Sequence, residues 1–236
     1  MARTAPTWNV LPHQPLQKLT ENLWTVTGAL RGMPLDRVLS IAKMGDGRLV
    51  LHNGIALEEP LMKEIEAFGK PSFLLVPNGY HRMDAPAFKQ RYPEIKVLCP
   101  EGARKKVEEV VAVDGTYAEL PADDRVSLHD IEGVGRGEGY LKVRSDDGVS
   151  LVFNDVFFNM PHKPGFQGLV LRLMGSTGGP KVTRVGKLFL IKDKQAVKAQ
   201  LEALASTPDL RRVIVMHGDS VSDDPGGLLR KVAATL

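Results

Sequence analysis

Ser72-Phe-Leu-Leu-Val-Pro-Asn-Gly-Tyr-His-Arg-Met-Asp-Ala85 is a short apolar run that passes directly into a polar loop holding Asn78, Tyr80, His81, Arg82 and Asp84. A brief apolar run bounded by turn formers reads as a buried strand. Residues 85–91, closed by Pro93, read as a short helix, and Asp84 is a good residue type for its N-cap. The stretch is therefore strand, loop rich in ligating side chains, helix. Two later apolar strands also end on such side chains: Val149-Ser-Leu-Val-Phe-Asn-Asp155 and Arg212-Val-Ile-Val-Met-His217. A His that closes a buried strand needs a hydrogen-bonding partner.

Around this stretch the first half of the chain alternates strands and helices. Residues 23–26, 38–43 and 48–52 read as strands, the last two joined through Gly45-Asp46-Gly47, a turn with the glycines of a tight hairpin. A helix over residues 58–68 stops at Gly69 with Pro71 beyond. Strand 95–99 and helix 102–110 repeat the unit, and near-continuous apolar strands imply a sheet covered by helices. In the second half, residues 126–131, 140–144 and 149–154 predict an antiparallel meander. A glycine-containing segment at 166–179, a helix at 194–205 and a closing helix near 226–234 follow. Two β-rich halves flanked by helices predict an α/β (α+β) fold, a four-layer αββα sandwich. Residues 1–20, with Pro6, Pro12 and Pro15, read as an N-terminal extended arm lying on the surface or on a partner, and residues 21–236 as one domain.

Bulk properties narrow the function classes. The 236 residues are 43% hydrophobic and 25% charged with a net charge of +3, an ordinary globular composition. Lys and Arg are scattered, with short clusters such as Arg104-Lys105-Lys106 that read as a solvated helix face, so no nucleic-acid partner is expected. There is no run of about 18 apolar residues to span a bilayer and no apolar leader at the start, so a cytoplasmic protein without a membrane partner is the expectation. The lone Cys99 lies in an apolar strand and reads as a buried structural thiol. There is no GxSxG elbow for serine chemistry. The glycines of residues 133–139 lack the Lys-Ser/Thr of a phosphate loop and join two strands, so they read as a hairpin loop.

The order of elements and the positions of the polar residues resemble the metallo-β-lactamase superfamily, in a divergent branch, from about Glu21 to Leu236. In that family a buried strand enters an HxHxDH loop whose imidazoles and carboxylate bind one or two metal ions. The register is open. If Asp84 takes the Asp place, Tyr80 and Arg82 replace the upstream imidazoles and Ala85 the last; if Asn78 takes the first His place, His81 and Asp84 fall out of step. His52 stands where the family has an Asp supporting the ligands. The loop expected to give a third His is Gly133-Val-Gly-Arg-Gly-Glu-Gly139, with Arg136 and Glu138 as the nearest replacements. Asp155 matches the metal-bridging Asp, and His217 the last His.

The resemblance implies a degenerate metal site of His81, Asp84, Asp155 and His217. Two carboxylates with two imidazoles suit one divalent ion, Zn, Mn or Fe; a fixed cation at Arg82, where the family has ligands, argues for none. With a metal, the resemblance implies a hydrolase acting on an ester, lactone or phosphoester through a metal-activated water, Asp84 being catalytic and Arg82 or Tyr80 steadying the developing anion. Asn78, His52, Arg136 and His162 would complete the pocket. Without a metal, the same pocket belongs to a pseudoenzyme that binds a small anionic ligand or a protein partner. Plainer readings stand beside these: Asp84 as a helix cap, Asp155 bonding loop amides, His162 in a solvent loop, His129 structural on its strand. Residues 174–180 read as a flexible stretch over the pocket.

Overall fold

The computed structural model describes residues 7–135 and 137–236. Strands β1 (Gln17–Lys18), β2 (Leu23–Ala29), β3 (Asp36–Lys43) and β4 (Arg48–His52) pair antiparallel in series. The β3–β4 turn uses Gly47 at φ +87°, a conformation open to glycine. Helix α1 (Glu59–Phe68) then returns the chain so that β5 (Lys70–Leu75) lies parallel to β4. Helix α2 (Ala85–Arg91), β6 (Lys96–Cys99), helix α3 (Arg104–Val107) and β7 (Gly115–Thr116) extend the sheet by parallel pairing, giving seven strands in sequence order.

The second sheet starts with the expected meander of β8 (Val126–Asp130), β9 (Gly139–Ser145) and β10 (Gly148–Phe153). β11 (Phe158–Met160), helix α4 (Gly165–Leu173) and β12 (Gly179–Lys181) form an excursion in which β11 pairs with β12. Helix α5 (Lys194–Leu204) leads to β13 (Leu210–Val215), which pairs parallel to β10 at the sheet edge, and helix α6 (Pro225–Ala233) closes the fold.

Side chains alternate across each strand, and that alternation builds the four layers. Leu49 and Leu51 face Met62 and Ile65 of α1, Phe88 of α2 and Val107 of α3. Val50 between them faces the other sheet, in a core shared with Leu75, Leu98, Val126, Leu141, Val152 and Ile214. Leu151, Phe153, Val213 and Val215 point the opposite way, onto Val197 and Leu201 of α5 and Leu228 and Val232 of α6. Both faces of each sheet are buried, which is why these strands read as unbroken apolar runs.

One local expectation changes. The helix predicted at 102–110 is a 3₁₀ turn at Glu101–Ala103 followed by α3 alone; the β-branched Val110, Val111 and Val113 do not sustain it. The segment read as an arm on the surface or on a partner lies, from residue 7 on, on the surface of the chain itself. Trp8 Nε1 donates to Leu57 O at 2.8 Å, its ring sits 4.9 Å from Phe88, and the Ala29 N–H donates to Pro12 O at 2.8 Å. No described helix is long and apolar enough to cross a membrane.

Phe88 is fully buried where α2, the arm and the first sheet meet. Phe88→Ala should lower the unfolding free energy by about 3–5 kcal/mol, measured by urea titration.

Candidate functional site

β10 and β13 run parallel with Phe153 opposite Val215, so Asp155 and His217, two residues further along each strand, leave the same end of the sheet side by side. β5 ends in the other sheet, and the loop that follows carries His81 across to them. One ligating atom each from His81, Asp155 and His217 lies within 4.8 Å of the other two. Asp155 is the wedge between two imidazoles: Oδ2 is 3.0 Å from His81 Nε2 and Oδ1 is 3.2 Å from His217 Nε2. Phe158 lies against the His217 ring at 4.6 Å.

The His217 ring is oriented from behind. Its Nδ1 is 2.7 Å from the Asp36 carbonyl oxygen, which can only accept, so Nδ1 carries a hydrogen and Nε2 is the atom turned towards Asp155. A lone pair facing a carboxylate oxygen is repulsive unless a proton or a cation lies between them. A His whose outer nitrogen donates to a backbone carbonyl is the arrangement that fixes metal-ligating imidazoles, and two imidazoles with one carboxylate are a donor set for a divalent transition ion. The residues present therefore fit a metal. The turn behind His217 is also constrained: Gly218 takes φ +109°, and a Cβ there would stand 2.1 Å from Asn159 O.

Beneath Asp155 lies a knot of hydrogen bonds. Asn78 Oδ1 accepts from the Tyr80 and His81 N–H groups at 2.8 and 3.0 Å, and Asn78 Nδ2 donates to Glu138 Oε1 and Asp155 Oδ2, each at 2.7 Å. The fully buried Glu138 also accepts from Asn154 Nδ2 at 3.0 Å and from the Asp155 N–H at 3.1 Å. Burial, and then the Asp155 charge, push the Glu138 carboxyl up to about 8. Burial would raise Asp155 as well, but the imidazoles, His81 foremost, hold it well below the usual carboxylate range. The two neighbouring carboxyls are thus driven apart, one neutral and one charged at pH 7.

Several expected site residues are employed elsewhere. Asp84 stands before α2 but is ion-paired with Arg37, both nearly fully buried, and Arg37 Nη1 also reaches Gly54 O at 3.4 Å. It is outside the His81–Asp155–His217 group, because a buried guanidinium requires a carboxylate and Asp84 supplies it. Arg82 turns to α3, bonding Glu109 at 2.8 Å and the Lys106 carbonyl. Tyr80 is 87% exposed. His52 is fully buried at the end of β4 with no hydrogen bond to either ring nitrogen among the described residues; burial, then the His81 charge, push it down to about 3. His162 bonds Thr177 Oγ1 at 2.9 Å. The stretch read as flexible is tied down: the Ser176 N–H donates to Leu171 O at 2.9 Å, and that of Gly178 to Met160 O at 2.8 Å. Arg136 lies outside the described residues. Cys99 is fully buried, and burial raises its thiol to about 12, in keeping with a structural role.

Sequence reasoning did not single out Arg37, the Asp36 carbonyl or Asn154, and saw Glu138 only as a replacement in a loop. One cue was present: Arg37 is a charge in a strand whose next five residues, Val-Leu-Ser-Ile-Ala, are otherwise apolar or small.

Arg37→Met strands the Asp84 carboxylate in the core and should cost about 3–5 kcal/mol in urea unfolding, most of it recovered in Arg37→Met/Asp84→Leu. His52 sets a pH dependence. Unfolded, it takes a proton as pH falls through 6.5; folded, not until about 3. The unfolded chain therefore binds more protons in that window, so stability is full above pH 6.5 and falls as pH drops, by about 5 kcal/mol at pH 3 from this group. His52→Leu should flatten that acid limb in denaturation curves taken at successive pH values.

Known structures share this architecture. The chain superposes on a metallo-β-lactamase from Pontibacter korlensis with a TM-score of 0.63, at 12% identity, over 95% of this chain and 100% of that one. It superposes on a metallo-β-lactamase from Erythrobacter litoralis, crystallised with β-mercaptoethanol in the active site, with a TM-score of 0.61, at 11% identity, over 94% and 96%. For the metallo-β-lactamase FIM-1 from Pseudomonas aeruginosa in its mono-zinc form, the TM-score is 0.60 at 12% identity, over 97% and 98%. No protein-family model and no curated protein matches the sequence. The chain has the metallo-β-lactamase fold, on a sequence far diverged from the solved proteins that share it.

Proposed function

We propose that the protein is a hydrolase that holds one divalent cation, Zn, Mn or Fe, between His81, Asp155 and His217 and acts on a small ester, lactone or phosphoester. The convergence of those three ligating atoms within 4.8 Å carries this reading. The fold shared with solved metallo-β-lactamases supports it, one of them being in a mono-zinc form. A cation so held would supply a Lewis acid that polarises a carbonyl or phosphoryl oxygen and acidifies a water.

The chain's own residues prepare for that chemistry. Asp36, through its carbonyl, sets the ring of His217 so that Nε2 faces inward. Asn78 ties the loop of His81 to Asp155, so two of the three donors share one hinge. Glu138, kept neutral by burial and by the Asp155 charge, accepts the Asn78 and Asn154 amides without adding a second negative charge below the site. Asp84, Arg82 and Tyr80 have no part in this scheme: the first is committed to Arg37, the second to Glu109, and the third lies in solvent.

Elemental analysis of untagged protein, dialysed against Zn, Mn or Fe(II), tests the proposal. About one equivalent is expected. His81→Ala, Asp155→Ala and His217→Ala should each abolish it together with the metal-induced rise in Tm, while Arg82→Ala should retain both. No metal in the wild type in any form would overturn the hydrolase reading in favour of a pseudoenzyme that binds a small anion.

A further inference from the structure

Helix α4 turns its apolar stripe outward. Phe166, Leu169, Val170 and Leu173 fall at positions i, i+3, i+4 and i+7, the spacing that ordinarily faces a core, yet all four are exposed, Phe166 by 80%. The inward side is Leu171, packed with Leu35 and Met160, and Gly168, where a Cβ would stand 1.9 Å from Lys163 O. Those two residues fix which side of the helix faces solvent. A second exposed apolar segment adjoins it. Arg184 bonds the carbonyls of Met174 and Leu173 at 3.2 and 3.0 Å through its backbone N–H and its guanidinium. Directly after it, Val185, Leu188 and Phe189 are exposed, Leu188 by 72%.

Charge is distributed as unevenly. Residues 161–192 contain six Lys or Arg and no Asp or Glu, whereas the other 204 residues carry 25 Lys or Arg against 28 Asp or Glu, a net of −3. The small overall charge of +3 therefore hides a cationic segment, the same one that carries the exposed apolar side chains, although Lys163 within it is ion-paired with Asp36 and Lys187 bonds the Thr235 carbonyl.

We propose that this face docks the protein on an anionic lipid bilayer surface. Phe and Leu side chains would enter the boundary between headgroups and acyl chains, with Arg172 and Lys192 among the cations on the lipid phosphates, as for amphipathic helices that lie in the interface plane. A second copy of this chain is a poor occupant, since a two-fold contact would set a segment of charge +6 against itself. The association is peripheral, because no described helix can cross the bilayer; the expectation of no membrane partner rested on that missing span and did not weigh a surface mode. Phe158 packs both with the Leu35–Met160–Leu171 cluster and against His217, so the docking face borders the candidate centre. The inference goes beyond the proposed hydrolase and does not depend on a metal.

Flotation of the full chain with vesicles of phosphatidylcholine alone, or mixed with phosphatidylglycerol, tests it. The wild type should float with the mixed vesicles and not with phosphatidylcholine alone, and added salt should release it. Phe166→Ser/Leu173→Ser and Arg172→Glu/Lys192→Glu should each weaken binding at least about tenfold, with unchanged circular dichroism. The proposal falls if folded wild type does not float with the mixed vesicles, or if neither variant pair moves its binding. It also falls if sedimentation equilibrium reveals a dimer that Phe166→Ser/Leu173→Ser dissolves, which would make the face a contact between copies.

Discussion

The ion pair between Arg37 and Asp84 governs where the site loop can lie. Both groups are almost entirely out of water, and each would cost several kcal/mol there without the other. The start of β3 is thereby tied to the start of α2. At the other end of the loop, Asn78 is tied to Asp155 and Glu138. The residues between these anchors have little freedom, and His81 arches over Asp155. The same corner serves the other imidazole, because Asp36, the neighbour of Arg37, offers the carbonyl that orients His217. Two consecutive residues of β3 thus influence both imidazoles of the site without being ligands.

A second constraint is electrostatic. Two carboxyls, Asp155 and Glu138, share one hydrogen-bond network below the imidazoles, and two adjacent buried negative charges would be strongly unfavourable. The conflict is settled by position. Asp155, between two imidazoles, stays ionised; Glu138, fully buried and beside the Asp155 charge, stays neutral around pH 7 despite the amide donors on its oxygen. A single charged carboxylate therefore lies between the two imidazoles, with no second negative charge beside it.

Secondary structure was readable wherever burial on both faces forced an unbroken apolar run, as at residues 48–52, 72–76 and 149–153, and wherever glycine or proline punctuated it. The layering followed from the order of those elements. Arg37 and Asp84 were not legible as a pair, because 47 residues separate them and nothing in either local sequence names the other. Asp84 could be read as a helix cap or a ligand on its residue type alone, and both readings ignored a buried cation elsewhere in the chain. Asn78 and Glu138 were hidden likewise: one amide and one carboxyl become a network only when two sheets bring them within 2.7 Å. The outward stripe on α4 was invisible in another way, since a periodic apolar pattern states that a face exists but not which way it points.

The sequence by itself determined the layered order of elements, because strand periodicity is a local property, while the candidacy of His81, Asp155 and His217 came with the family resemblance that their positions carry. Only the tertiary structure decided that these three meet and that Asp84, Arg82 and Tyr80 do not join them. That decision rests on long-range pairing: the parallel register of β10 with β13, which sets Asp155 beside His217, and the demand of a buried Arg37 for a carboxylate, which draws Asp84 away.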